Sequence, residues 1–388
     1  MFSDRTNWKL TRNRLTDALD EVRSSGAPVL DLTISNPTRA GLHYDEEKII
    51  QSLASTQALD YDPQPKGLAS ARAAVGKYYQ STHGIHNFDP EQLILTTSTS
   101  EGYSFVFRLL CNSGDELLVP KPSYPLFEFL ADLQDVKLAP YPLIYDHGWQ
   151  MDFPSLQKAV TPRTRGVVVV HPNNPTSSYV HAHELKSLND FCRQHELALI
   201  ADEVFLDYAL DGTIHQSFAA NRDVLSFTLS GVSKISALPQ MKVAWVATSG
   251  PAEQAKAAQA RLEVIADTYL SMNAPIQWAV PALLDQRHSI QRQLLDRVRG
   301  NLKELDRQLA GQKTCERLIV EGGWYAVLRV PVTQTDEDLA VDLLRRKSVL
   351  VHPGHFYDFP RDGYLVLSLI TPPNDFAEGI KRFLESPS

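Results

Sequence analysis

Between residues 93 and 247 the chain returns again and again to short apolar runs rich in valine, isoleucine and leucine. Residues 93–97, 116–119, 166–170, 197–200, 224–228 and 243–247 are the clearest. None shows strict apolar–polar alternation, the pattern of strands covered on both faces. Helical periodicity separates several of them. Residues 100–112 read as a helix with Phe105, Leu109 and Leu110 on one face, stopped by Ser113 and Gly114. Buried strands separated by helices predict an α/β fold with a mostly parallel central sheet. Ligands of such sheets sit beyond the carboxyl ends of the strands, so the residues that follow each run carry the information about function.

The rest of the chain predicts a second unit. From about residue 253 to 307 the pattern is long and helical, with Pro275 and Pro281 as expected breaks. Residues 318–330, 349–353 and 364–370 read as strands of a smaller α/β unit. The amino-terminal segment, with Pro37, Pro63 and Pro65, is loop-rich and is expected to join that unit or to reach a partner subunit. The expected division is an amino-terminal arm over 1–40 that goes with the small domain, a large ligand-binding domain over 41–265, and an interdomain helix with the carboxyl-terminal small domain over 266–388.

Composition narrows the function. A chain of 388 residues, 43 % apolar and 22 % charged, suits an ordinary globular protein with a large core. A net charge of −8 with scattered basic residues disfavours nucleic acid and anionic membranes as partners. The one tight basic cluster, Arg345-Arg346-Lys347, reads as a solvated helix end. Three widely spaced cysteines predict free thiols and a reducing compartment. No cysteine–histidine spacing resembles a metal site, and His181-Ala182-His183 reads as the exposed start of a helix. No apolar stretch approaches the ~18 residues that span a bilayer, and the first twenty residues show no secretory pattern. A cytoplasmic protein is expected.

Three residues, in order and each just past an apolar run, carry the chemistry. Lys234, flanked by Ser230, Ser233 and Ser236, offers a primary amine that can condense with an aldehyde once it is partly desolvated. Asp202 follows a buried run, where a carboxylate is costly unless paired; a protonated pyridine nitrogen is a suitable partner, although capping of the next segment is an equal reading. Asn174, in Asn173-Asn174-Pro175-Thr176, is ordinary turn chemistry alone and an amide donor to a ring oxygen in this company. An amine, a carboxylate and an amide are what is needed to hold and tune pyridoxal 5′-phosphate (PLP). Ser98-Thr99-Ser100 joins a strand to a helix, where backbone amides and the helix dipole favour an anion; Thr99 or Ser100 is expected to cap the helix. Tyr124, between prolines, either packs or stacks on a flat ring.

Together these residues resemble the class I/II aminotransferases, fold-type I PLP-dependent enzymes. The resemblance runs from Asn36-Pro37-Thr38 to Ser368 and takes in Tyr61, Gly67, Gly114-Asp115-Glu116, Pro122-Ser123-Tyr124-Pro125, Asp202-Glu203-Val204, Ser233-Lys234 and Pro353-Gly354. It implies that Lys234 condenses with the cofactor aldehyde and later moves the proton at the substrate Cα. It implies further that Asp202 pairs with the pyridine nitrogen, Asn174 bonds the ring oxygen, and Tyr124 stacks on the ring. Ser98, Thr99, Ser100, Ser233 and Lys242 would surround the phosphate, with Tyr61 arriving from the other subunit of a homodimer. Asn36, Arg39, His355 and Arg361 are the candidates for holding substrate, and no metal is implied.

Departures from the family pattern are specific. Phe205 stands where a tyrosine usually donates to the ring oxygen, which predicts a raised pKa for the lysine–cofactor linkage; Tyr208 lies three residues on. Lys242 replaces an arginine, keeping the charge without the planar fork. Ser177 replaces a glycine, and Val366 stands where an arginine grips the substrate carboxylate. The expected function is a PLP-dependent aminotransferase, moving an amino group from an amino donor to a keto acceptor in ping-pong fashion. The alternatives are a PLP-dependent lyase or decarboxylase acting at Cα, and a non-catalytic module of the same fold.

Overall fold

The computed structural model describes residues 1–270 and 272–385. Its centre is an eight-stranded sheet. In chain order the strands are β1 (Leu93–Thr96), β2 (Glu116–Lys121), β3 (Lys137–Tyr145), β4 (Trp149–Met151), β5 (Thr164–Val170), β6 (Ala198–Asp202), β7 (Ser226–Gly231) and β8 (Ala244–Ser249). Their spatial order is β1-β8-β7-β6-β5-β2-β3-β4. The run from β7 to β3 is parallel, whereas β8 is antiparallel to both its neighbours and β4 to β3. Every residue of β1, β6, β7 and β8 is buried, including the polar Thr96, Asp202, Ser226, Thr228, Ser230, Thr248 and Ser249. Helices Thr99–Leu110 and Ala252–Tyr269 cover one face, where Phe105, Val106, Leu262 and Ala266 share a core with Ile94, Ile200 and Val246.

Two strands escape the sequence pattern. β3 carries Pro140 and Pro142, and β4 is three residues long. β4 is the edge strand and pairs only with Leu143–Tyr145, so the stretch of β3 with its prolines has a strand on one side alone among the described residues, where proline is tolerated because little ladder bonding is lost. The long helical region is also divided differently from expectation. It forms three helices, Ala252–Tyr269, Ala274–Asp285 and Arg287–Leu309. Pro275 falls at the start of the second, where its missing N–H costs nothing. Pro281 lies inside that helix and does not break it. An interior proline costs about 3 kcal/mol; here Ile276, Ala279, Val280, Leu283 and Leu284 are all buried in one cluster with Ala71, Val75 and Tyr79, and that burial outweighs it.

A smaller sheet follows. β9 (Glu316–Arg317), β10 (Tyr325–Arg329), β11 (His352–Pro353) and β12 (Tyr364–Ser368) pair in the order β9-β10-β12-β11, all antiparallel. Of the expected strand over 318–330 only Tyr325–Arg329 forms, and Glu316–Arg317, just before that span, pairs with it across the turn at Gly322 and Gly323. The amino-terminal segment does join this unit: Leu30–Asp31 pairs in parallel with Val349–Leu350, and Leu15, Ala18 and Leu32 share a core with Leu344, Val349 and Phe376. His181 caps the helix Ala182–His195 through a capping box with Glu184, and Arg345, Arg346 and Lys347 close the helix Asp336–Lys347, both as the sequence predicts.

Gly231, the last residue of β7, lets the chain turn directly into the segment that carries Lys234. A Cβ there would stand 2.7 Å from the Val243 carbonyl oxygen and 2.9 Å from the Ala244 Cβ. Gly231→Ala is expected to lower the unfolding free energy by about 1–3 kcal/mol, read as a lower urea midpoint with an unchanged slope.

Candidate active site

Strand direction gathers the site. β1, β2, β5, β6 and β7 all end on the same edge of the sheet, and the antiparallel β8 begins there. Thr96 pairs with Ala244, Ala244 with Gly231, and Asp202 with both Val170 and Leu229. The segments beyond that edge enclose a cleft of about 280 Å³. Its walls include Ser98, Thr99, Ser100, Tyr124, Asn174, Asp202, Ser233, Lys234 and Lys242, so residues spread over 145 positions of sequence meet in one place.

Lys234 sits on a single helical turn, Val232–Ile235, immediately after β7. The rings of Phe205 and Trp324 lie 5.4 and 4.9 Å from its Nζ. Shelter from water lowers the ammonium pKa from 10.5 to about 8, against the opposing attraction of Asp202. Asp202 is the last residue of β6 and is 7 % exposed. Burial raises its carboxyl from 3.8 to about 6, although the Val204 amide and the Tyr103 hydroxyl each donate to it at 3.1 Å. The bond to Val204 closes a local turn, and no helix follows Asp202 directly, so the expected helix cap is not formed. Asn174 is buried, and its Oδ1 has no hydrogen-bond partner among the described residues. A buried amide without a partner is costly, and this one lies on the wall of the cleft.

The helix Thr99–Leu110 begins at the same edge. Its cap is Ser98, one residue earlier than expected: Ser98 is extended at φ −163°, and its hydroxyl accepts from the Glu101 amide at 3.2 Å, while Thr99 is already helical. Glu101 returns the contact, accepting from the Thr97 amide at 2.7 Å. The hydroxyls of Thr99 and Ser100 are thereby released from capping. The first two amides of the helix stay outside its bonding pattern, on the cleft wall. Lys242 ends the turn Pro239–Met241 in a left-handed conformation, φ 52°, and adds an exposed cation. A dianionic phosphate fits this corner.

Five other sequence candidates lie elsewhere in this chain. Tyr61 is 82 % exposed and borders a separate cleft with Pro63, Leu270 and Trp278. Asn36 caps the turn Pro37–Arg39, accepting from Thr38; Arg39 and His355 are exposed and do not line the cleft. Arg361 reaches only the Tyr364 hydroxyl, at 3.5 Å. Val366 is 1 % exposed inside β12, opposite Val327 and His352. No arginine lines the cleft among the described residues.

The structure also adds residues that sequence reasoning passed over. Tyr103 bonds Asp202 from the helix Thr99–Leu110, one turn past Thr99. Its signal was present, since it shares a buried helical face with Val106 and Phe107. Ser35 and Tyr325 line the cleft, and Trp324 walls in Lys234. These three arrive from the amino-terminal segment and the small sheet, and nothing local in the sequence marks them. Tyr208, three residues past Phe205, gives its hydroxyl to the Lys234 carbonyl at 2.6 Å.

An amine held close to its neutral form, a buried carboxylate, a buried amide oxygen without a partner among the described residues and a helix amino terminus share this cleft. The cofactor is PLP. The chain belongs to the class I and II aminotransferase family, whose pattern matches residues 27–375. It is 30 % identical to an alanine aminotransferase of Mycobacterium tuberculosis, an alignment covering 95 % of this chain and 90 % of the relative. It is 27 % identical to the glutamate-pyruvate aminotransferase AlaA of Escherichia coli, over 93 % of this chain and 91 % of that one. Among solved structures, an aminotransferase from Escherichia coli superposes with a TM-score of 0.86 at 26 % identity, covering 99 % of this chain and 97 % of the other. An alanine aminotransferase from Pyrococcus furiosus gives a TM-score of 0.89 at 22 % identity, over 99 % and 98 %, and shares the fold.

The depressed pKa of Lys234 sets a pH dependence. Only the neutral amine attacks an aldehyde, so the rate at which cofactor-free protein takes up PLP should rise about tenfold per pH unit below about 8 and level off above it. Stopped-flow absorbance reads this, and Lys234→Ala should remove the reaction altogether.

Proposed function

We propose that this aminotransferase uses a small amino acid as donor and a 2-keto acid as acceptor, and that Lys234 and Asp202 carry the chemistry. The enzyme moves an amino group between donor and acceptor; the names of its relatives make alanine with pyruvate, and glutamate with its keto acid, the first pairs to test. The single observation behind the site assignment is that a lysine amine with a pKa near 8 and a buried carboxylate wall the same cleft.

When bound, PLP supplies an aldehyde to capture amines and a ring that accepts electrons from the substrate Cα. The residues of this chain do the rest. At pH 7 roughly one-tenth of Lys234 is neutral, enough to begin the reaction, and once released the amine is suited to take the Cα proton and return it. Asp202 would pair with a ring cation and so stay ionised in a place where burial alone favours its neutral form. Asn174 would donate to the ring oxygen and Tyr124 would cover the ring, while Ser98, Thr99, Ser100, Ser233 and Lys242, on the wall of the same cleft, would hold the phosphate.

A homodimer belongs to this reading. Leu59, Tyr61, Val264, Tyr269 and Leu270 are large, apolar and at least half exposed or nearly so. Apolar side chains of this size on a monomer's surface favour association. Tyr61, remote from its own cleft, is assigned to the partner's phosphate. The proposed division keeps 1–40 with the small domain, 41–265 as the large domain and 266–388 as interdomain helix and small domain, although Ala266 and the helix Ala274–Asp285 pack with the large sheet and its helices; a cytoplasmic location is proposed too. The three unpaired cysteines support that location. No helix among the described residues is long and apolar enough to cross a membrane.

A second reading is favoured by one observation, that no arginine lies on the cleft wall among the described residues. It takes a donor without an α-carboxylate, or a lyase or decarboxylase step at Cα in place of transfer. A panel of L-amino acids and simple amines separates the two. L-Alanine or L-glutamate should bleach the aldehyde-linked absorbance band of the loaded enzyme, and pyruvate or 2-oxoglutarate should restore it. Bleaching by amines alone, or release of ammonia or carbon dioxide without keto acid, favours the second reading. No response to any donor rules out transamination. Gel filtration should place the loaded enzyme at twice the mass of one chain.

Phe205 carries a further prediction. A tyrosine there would regain a donor to the ring oxygen, so Phe205→Tyr should lower the pH midpoint of the cofactor absorbance by roughly one unit in a spectrophotometric titration.

A further inference from the structure

The turn that carries Lys234 is held by side chains that never touch the cleft. The Lys234 carbonyl accepts from the Ala237 amide at 3.2 Å, and side chains from three distant parts of the chain add bonds to the carbonyls of the turn and of the residues just after it. The Tyr208 hydroxyl donates to the carbonyl of Lys234 itself at 2.6 Å. Gln291, on the helix Arg287–Leu309, donates through Nε2 to the Ile235 carbonyl at 2.9 Å. The Tyr44 hydroxyl donates to the Ala237 carbonyl at 2.9 Å.

Gln291 is itself oriented. The same Nε2 donates to Asp207 Oδ2 at 2.7 Å, so one amide hydrogen rests on a carboxylate and the other on the lysine turn. The other oxygen of Asp207 accepts from the Tyr78 hydroxyl at 2.8 Å and lies 3.0 Å from His83 Nε2. The side chains of His83 and Asp207 are 4 % and 2 % exposed. Burial pushes the Asp207 carboxyl up, but the bonds from His83, Tyr78 and Gln291 more than reverse this and hold it below the usual range. A buried ionised carboxylate is expensive to build. This one neither lines the cleft nor meets the cofactor corner. What it does is fix an amide against the turn that bears Lys234.

We propose that Tyr208 and the Gln291–Asp207 pair are positioning residues for Lys234, pinning the carbonyls of residues 234 and 235 so that the amine stays aimed into the cleft. The claim rests on the assignment of Lys234 as the residue that binds the cofactor and moves the Cα proton. Such a transfer needs the nitrogen within about 3–3.5 Å of the reacting atom. Nζ hangs on four flexible methylenes, so only a fixed backbone and fixed walls can hold it there. Tyr208 supplies both, since its ring packs edge-on against Trp324 at 5.1 Å while its hydroxyl grips the backbone.

The test uses Tyr208→Phe and Gln291→Leu in the full chain, with two readouts. In the loaded enzyme, each variant should lower kcat about ten- to a hundredfold while KM stays within roughly threefold and Tm changes little. In cofactor-free protein, reductive methylation with formaldehyde and cyanoborohydride, followed by peptide mapping, gives the pH midpoint for labelling of Lys234. That midpoint should rise by roughly half a unit or more in each variant as the amine gains water. Variants with the parent's kcat and the parent's labelling midpoint overturn the proposal, as does a loss of kcat matched by loss of folded protein with the midpoint unmoved. If the parent shows no transamination with any donor, the functional reading fails, and the labelling midpoints still decide the positioning claim.

Discussion

Everything at this site follows from holding an amine and a carboxylate out of water in the same cleft. Lowering the Lys234 pKa from 10.5 to about 8 corresponds to on the order of 3 kcal/mol in favour of its neutral form. Asp202 is pushed the opposite way for the same reason. Each group alone would be a liability to folding. A cofactor with a cationic ring and an aldehyde would make them complementary, the ring's charge satisfying the carboxylate and the aldehyde taking up the neutral amine. The sheltering walls, Phe205 and Trp324, are hydrophobic surfaces with a chemical consequence.

The fold supplies that shelter through strand direction. Five strands end on one edge and an antiparallel sixth begins there, so short loops from distant sequence positions converge without long excursions. Tight packing at the turn is part of this. Gly231 lies too close to the Val243 carbonyl for any side chain, and Gly102 brings the helix Thr99–Leu110 down onto Val246 and Leu229. The small sheet then closes the cleft from the other side by contributing Trp324 and Tyr325, while Ser35 comes from the amino-terminal segment.

Much of this was legible in the sequence, for identifiable reasons. Central strands such as β5 and β6 are buried on both faces, so their runs of valine, leucine and isoleucine leave few other readings. Lys234, Asp202, Asn174 and Ser98 to Ser100 could be singled out because each follows such a run. β3 was hidden by its prolines, and Pro281 was misread because a helix interior is stabilised by what packs against it, which local sequence does not display. The cap at Ser98 moved by one residue because three hydroxyl side chains in a row offer three equivalent choices, and only backbone angles select one. Tyr103 was legible as part of a buried helix face but not as a partner of Asp202, and nothing local marked the roles of Tyr208 and Trp324. These roles depend on where a hydroxyl or ring points across tertiary contacts of 99, 26 and 90 positions. The substrate side is least legible of all, since Val366 removes the expected anchor and neither Arg39, His355 nor Arg361 takes its place in the cleft.

The account stands on a covalent bond between one nitrogen and the cofactor. Loading the protein with PLP, reducing it with borohydride, and mapping the peptides by mass spectrometry tests that bond directly. The account predicts a single phosphopyridoxyl group on the peptide containing Lys234. A group on any other lysine, or no stable attachment at all, contradicts it.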